Sequence, residues 1–195
     1  MKGQTFVHRV PLSTVRRQRR IGPPLTLVLT GLLLSGCGIT DSKSNESTSE
    51  IPSAGTATTF QASQALKQVS SQIYDFAGVP GKASKPGPGV RECDGRDKDT
   101  YFQMYHPWNF APTKASDIDV AMENLKKKLK TGGWAIKDIY HDNSPNKALN
   151  LIADNVSKKV SVWIIQLKKD KQPSFAIEVT SGCYKIPDGQ EIDRF

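Results

Sequence analysis

Residues 159–167 read Lys159-Val-Ser-Val-Trp-Ile-Ile-Gln-Leu167. Val160, Val162 and Ile164 alternate with Trp163, Ile165 and Leu167. That period of two belongs to a β-strand, whose successive side chains point to opposite faces. Polar turn stretches bracket it, Asp154–Lys158 before and Lys168–Pro173 after. The same period recurs in Trp134–His141, in Ala148–Ala153 and in Ser174–Val179, where Phe175, Ile177 and Val179 alternate. Parallel neighbours need a crossover of a dozen or more residues, so strands joined this tightly form an antiparallel meander. The strand at 159–167 poses a further question. With both apolar sets buried it is central and covered on both faces. With one buried, the other is an apolar patch, and such patches mark binding surfaces.

Upstream the period changes to 3.6. Ile118, Ala121, Met122, Leu125 and Leu129 form one stripe along Asp117–Lys130, which predicts a helix. Ser116 with Asp119 has the spacing of a capping box, and Gly132-Gly133 ends the run. Lys126, Lys127, Lys128 and Lys130 crowd its last turns, where cations favour the helix dipole. They read as a solvated face, with anionic lipid or polymer as the alternative contact. Phe60–Phe76 predicts a second helix, with Ala62, Leu66, Val69, Ile73 and Phe76 on one side. Between the helices, Val79–Gly89 holds three Pro and three Gly and reads as loop. Thr100–Trp108 reads as a strand that Pro107 demotes toward an edge or an end. The order α-β-α-β-β-β-β predicts an α+β domain over residues 60–195. Two helices pack on one face of a mostly antiparallel sheet of about five strands.

The chain is 195 residues long, with 27 basic and 19 acidic side chains. Six of the basic residues, and no acid, lie in residues 1–36; the remaining 21 nearly balance the 19 acids. A nearly neutral domain disfavours nucleic acid as a partner. Residues 1–36 have the zones of a secretory signal: a basic stretch to Arg20, an apolar run from Leu25 to Leu34, then Ser35 and Gly36. The apolar run is well short of the ~20 residues a membrane-spanning helix needs. Gly38–Thr59 is rich in Ser, Thr and Gly without apolar period, so 37–59 is expected to be a flexible linker.

Cys93 and Cys183 are the two thiols of the expected domain. Export places them in an oxidising compartment, so a structural disulfide is expected. His106 and His141 are its only histidines. Each reads first as a packed or surface imidazole, and catalysis by either is the minor reading. No nucleophile elbow, zinc-protease motif or phosphate-cradling loop accompanies them, so no cofactor or metal is expected. The acids of Glu92–Asp99 lack the order of a calcium loop, are interleaved with Arg91, Arg96 and Lys98, and read as a solvated loop, with weak calcium binding as the minor alternative. Trp108, Trp134 and Trp163 are expected mainly in the core, with a carbohydrate or ligand platform as the alternative. His106, Trp108 and His141 are the candidate ligand-facing residues.

Leu34-Ser-Gly-Cys37 closely resembles the lipobox of bacterial lipoproteins. Gly78-Val-Pro-Gly-Lys82, Tyr105-His-Pro-Trp108, Gly133-Trp134, Ala153-Asp-Asn155 and Thr180-Ser-Gly-Cys-Tyr184 extend a resemblance to small actinobacterial lipoproteins of unknown function. The resemblance implies cleavage before Cys37, a diacylglyceryl anchor on its thiol and an extracytoplasmic domain tethered to the cell membrane. It brings no activity with it. The expected role is a binding or accessory module contacting an envelope protein or polymer. The alternative is a hydrolase of envelope material using His106 or His141.

Overall fold

A computed structural model describes residues 51–195. The expected signal segment, Cys37 and most of the expected linker lie outside the described residues. Among the described residues, no helix is long and apolar enough to cross a membrane.

The domain is α+β, with two helices and an open sheet of eight strands. The elements run β1 (Gly55–Thr56), α1 (Thr59–Ala77), β2 (Gly81–Ala83), β3 (Gly89–Glu92), β4 (Tyr101–Pro112), α2 (Ile118–Thr131), β5 (Ala135–His141), β6 (Leu149–Asn155), β7 (Val160–Leu167) and β8 (Ser174–Lys185). The spatial order is β2-β4-β8-β7-β6-β5, with β3 also on β4 and β1 on β8. All pairings are antiparallel except β1 with β8. The meander β5–β8 forms as the alternating pattern requires.

Both helices cover one face. Their stripes bury Leu66 and Ile73 from α1, and Ile118, Met122, Leu125 and Leu129 from α2. These meet Phe102, Met104, Trp108 and Phe110 of β4, Val160, Val162 and Ile164 of β7, and Phe175, Ile177 and Val179 of β8. Helix α1 starts at a capping box: Thr58 Oγ1 accepts from the Gln61 amide, and the Gln61 side chain accepts from the Thr58 amide. It ends at Gly78, whose φ of 62° is the left-handed value a helix terminus favours. The box expected at Ser116 does not form. Asp119 is bound instead by Lys168 and Gln166, and no side chain caps α2.

The sheet has eight strands, not about five, because three short ones without an apolar alternation join it. β2 and β3 come from the Pro/Gly-rich stretch and its sequel and line up end to end along β4. Strand β4 is therefore interior, not an edge. Pro107 is accommodated because β3 stops opposite Tyr105 and β2 begins opposite Phe110, so no ladder partner stands beside its missing N–H. β1 lies within the segment expected as linker, and its described part runs against β8.

Strand β8 also runs six residues past its expected end. Ser181 and Gly182 together oppose Met104, a bulge whose polar groups are met by bonds from Met104 N to Ser181 Oγ (3.0 Å) and from Gln103 Nε2 to Ser181 O (2.7 Å). Beyond the bulge β7 has ended, and residues 51–57 take its flank: Ala54 N donates to Cys183 O at 2.8 Å and Ala57 N to Lys185 O at 3.1 Å. A Cβ on Gly182 would stand 2.1 Å from Pro52 O, so this approach requires glycine. Cys93 and Cys183 form the expected disulfide, with Cα atoms 6.0 Å apart.

Candidate functional site

The helices leave the other face of the sheet open. Register fixes what stands on it. Trp163 opposes Ile152 on β6 and Glu178 on β8, and Ile165 opposes Asn150 and Ala176. Pro107 and Tyr105 of β4 extend the row opposite Glu178 and Thr180. Trp163 is 44% exposed, whereas Trp108 (6%) and Trp134 (4%) are core. Only one of the two apolar sets of β7 is fully covered, so the open set forms an exposed patch.

Trp163 is held in place. Its Nε1–H donates to Asn150 Oδ1 at 2.8 Å, and Asn150 is 1% exposed. The Asn150 amide is oriented in turn by Ala148 O (3.1 Å) and Asp142 Oδ2 (3.4 Å). Asp142 also accepts from the amides of Ser144 and Ala148. The Ser144 side chain leads in holding the Asp142 carboxyl below its ordinary pKa, with the Ser144 amide, the Asn150 side chain and the Ala148 amide adding to it.

Beside the indole lies a polar cluster. Arg91 Nε donates to Gln103 Oε1 (2.7 Å), Arg91 Nη2 to Thr180 Oγ1 (2.9 Å), and Arg91 Nη1 sits 3.3 Å from Glu178 Oε1. Thr180 Oγ1 donates to Glu178 Oε1 at 3.2 Å. The guanidinium also lies over the Tyr105 ring, 5.3 Å from its centroid. Two cavities meet at Trp163 and Glu178. One of 130 Å³ is lined by Ile165 and Ala176, and one of 220 Å³ by Arg91, Gln103, Ser161, Thr180 and Ile51.

His106 belongs to the helix-covered face. It lines a 330 Å³ cleft between α1 and the β2–β3 connection, together with Ser70, Tyr74, Ser84, Pro86 and Trp108. Nδ1 lies 2.8 Å from Ser70 Oγ and Nε2 lies 3.0 Å from Pro86 O. A carbonyl only accepts, so Nε2 carries the proton and Nδ1 accepts from the Ser70 hydroxyl. Burial lowers the His106 pKa, against the opposing pull of the Pro86 bond. Among the described residues no carboxylate bonds this imidazole.

His141 is remote from His106. It ends strand β5, donates from Nδ1 to Lys147 O (2.8 Å), and lines a 420 Å³ hollow with Leu149, Gln166, Lys168 and Lys169. No hydroxyl or carboxylate side chain lines that hollow. Asp97 in the acidic loop is taken up by Thr100 Oγ1 and the Asp99 amide. Among the described residues no cluster of three or more His, Cys, Asp or Glu is placed to hold a metal.

Sequence reading named Trp163 as one of three tryptophans but missed Asn150, Arg91, Glu178 and Ser70. A signal existed for Glu178. It sits between core residues Ile177 and Val179, so strand parity alone puts it on the opposite face.

Compared with known proteins, the chain matches no family model, no curated protein and no solved structure.

Proposed function

We propose that the protein is a lipid-anchored binding module of the cell envelope. It is held at the extracytoplasmic side of the cell membrane by a diacylglyceryl group on Cys37, and it binds through the open sheet face around Trp163. One observation carries the binding part. A large aromatic is left open on an otherwise orderly sheet, yet it is fixed by a buried asparagine that is itself oriented by an aspartate. Exposure favours contact with a partner, and fixing the side chain beforehand lowers the entropy lost on binding. The anchor rests on the signal-like leader and Leu34-Ser-Gly-Cys37. Two acyl chains hold stably where one holds only marginally. Cys37→Ser is expected to leave the protein unprocessed and free of lipid. Normal processing and full membrane partition of that variant would remove the anchor from this reading.

A second reading, hydrolysis, is favoured by a specific observation: the Ser70–His106 pair has the tautomer a general base needs and opens on a cleft. It lacks a carboxylate behind the imidazole, and Ser70 is itself buried. A fluorophosphonate probe decides between them. Labelling at Ser70 that is lost in His106→Gln would make the domain a hydrolase, and an unlabelled native protein leaves the binding module.

A further inference from the structure

We propose that the open sheet face binds a neutral glycan. One pyranose ring stacks on the Trp163 indole, and its hydroxyls are met by the Arg91–Gln103–Glu178–Thr180 cluster. This rests on the binding reading above and names the class of ligand.

Stacking comes first. A pyranose has an apolar side formed by axial C–H bonds, whose partial positive charge suits the negative face of an aromatic ring. Trp163 is the one exposed tryptophan among the described residues, and its bond to Asn150 restrains the indole before any ligand arrives. The apolar ground beside it is Ile165 and Ala176, with Ile152 on one flank, and Glu178 interrupts it before Pro107. A stable protein partner usually covers about 800 Å² on each side with a broad apolar centre, which this strip does not provide.

The polar half decides the charge of the ligand. Arg91 and Glu178 are 3.3 Å apart and neutralise each other. The cluster thus has no surplus positive charge for an anionic polymer and no surplus negative charge for a cation. It sets a guanidinium donor, a carboxylate acceptor, an amide and a hydroxyl side by side. Neighbouring sugar hydroxyls both donate and accept, and this mixed set answers both. The two cavities, 130 and 220 Å³, fall below the roughly 300–1,000 Å³ of an enclosed small-molecule pocket. They suit successive rings of a chain lying across the face. Ile51 lines the polar one, fourteen residues after Cys37.

The test is a glycan array with neutral and anionic arms, probed with the purified full-length protein and followed by tryptophan-fluorescence titration of the best neutral oligosaccharide. At least one neutral glycan is expected to bind, with little change between low and high salt. Trp163→Ala and Glu178→Ala should each weaken it tenfold or more, while Trp163→Tyr retains part of the affinity and all three variants melt as cooperatively as the native protein. Binding confined to anionic glycans, or to none, overturns the glycan proposal. A protein-only envelope extract separates that failure from failure of the binding reading. Retention by such an extract that Trp163→Ala abolishes would leave the open face as the binding surface for another ligand. No Trp163-dependent interaction in either format would remove both.

Discussion

The Trp163 indole N–H is bound by the side chain of Asn150, two positions off its direct cross-strand neighbour Ile152. The tryptophan that sequence parity leaves outside the core is thus tied back to the sheet by a residue that is itself inside. Asn150→Ala removes that tie and the contact with Asp142. A net loss of about 1–3 kcal/mol is expected, because the bonds to Trp163, Asp142 and Ala148 O all go. The sharper outcome is a red-shifted, more readily quenched Trp163 emission, read against a Trp163→Phe control.

The same chain of bonds carries a pH signature. Asp142 has a lowered folded pKa, so its contribution is full above the ordinary value near 3.8 and is lost as pH falls through the lower folded value. Trp163 emission should therefore hold steady from neutral pH to about 3.8 and change only below it. A transition centred well above that pH would show that Asp142 does not govern the asparagine.

His106 behaves differently. Its folded pKa is depressed by burial below the ordinary 6.5, so the folded state favours the neutral ring. Stability from this site is full above pH 6.5, declines as pH drops beneath it, and levels off below the folded value. Ser70→Ala leaves a buried imidazole nitrogen without its donor and should cost about 1–3 kcal/mol. Denaturant melts across pH 5 to 8 read both effects. His106→Gln should abolish the decline that begins near pH 6.5.

Opening the Cys93–Cys183 bridge frees a chain separation of 90 residues. Chain-entropy reasoning sets the cost near 4.5 kcal/mol, with about 2–4 kcal/mol typical. The double Cys→Ser variant should lose that much in urea unfolding, and the native protein under reductant should match it.

Gly182→Ala tests the order found at residues 51–57. The new methyl would collide with Pro52 O, so the segment must leave β8. Amide exchange at Ala54 and Ala57 should accelerate strongly, while core amides of β7 remain protected. Unchanged exchange would mean the segment gains nothing from that pairing.

Much of the architecture could be read in advance because binary pattern and packing agree. The α2 stripe and the β7 and β8 alternations are each buried as their periods require. The strands that escaped notice have no pattern to read. β2 and β3 are three and four residues long and hold to β4 by backbone bonds, amid glycine and proline that speak for loops. The second half of β8 contains Ser181-Gly182, where the bulge breaks the alternation. The polar cluster was hidden for another reason. Arg91 and Thr180 are 89 positions apart and meet only because β3, β4 and β8 lie side by side. The His106–Ser70 contact likewise joins a helix to a strand 36 residues later.

Strand β8, the last among the described residues, is also the one to which β1, the first among them, is paired, and it supplies half of the Cys93–Cys183 disulfide. Until residues 174–185 have left the ribosome, β4 lacks its interior neighbour, Cys93 its mate, and the opening segment a place to dock. Such a topology closes late and through distant pairings, which fold slowly. A copy truncated before residue 174 keeps the local pairings of β5, β6 and β7 but has no strand to join them to β4.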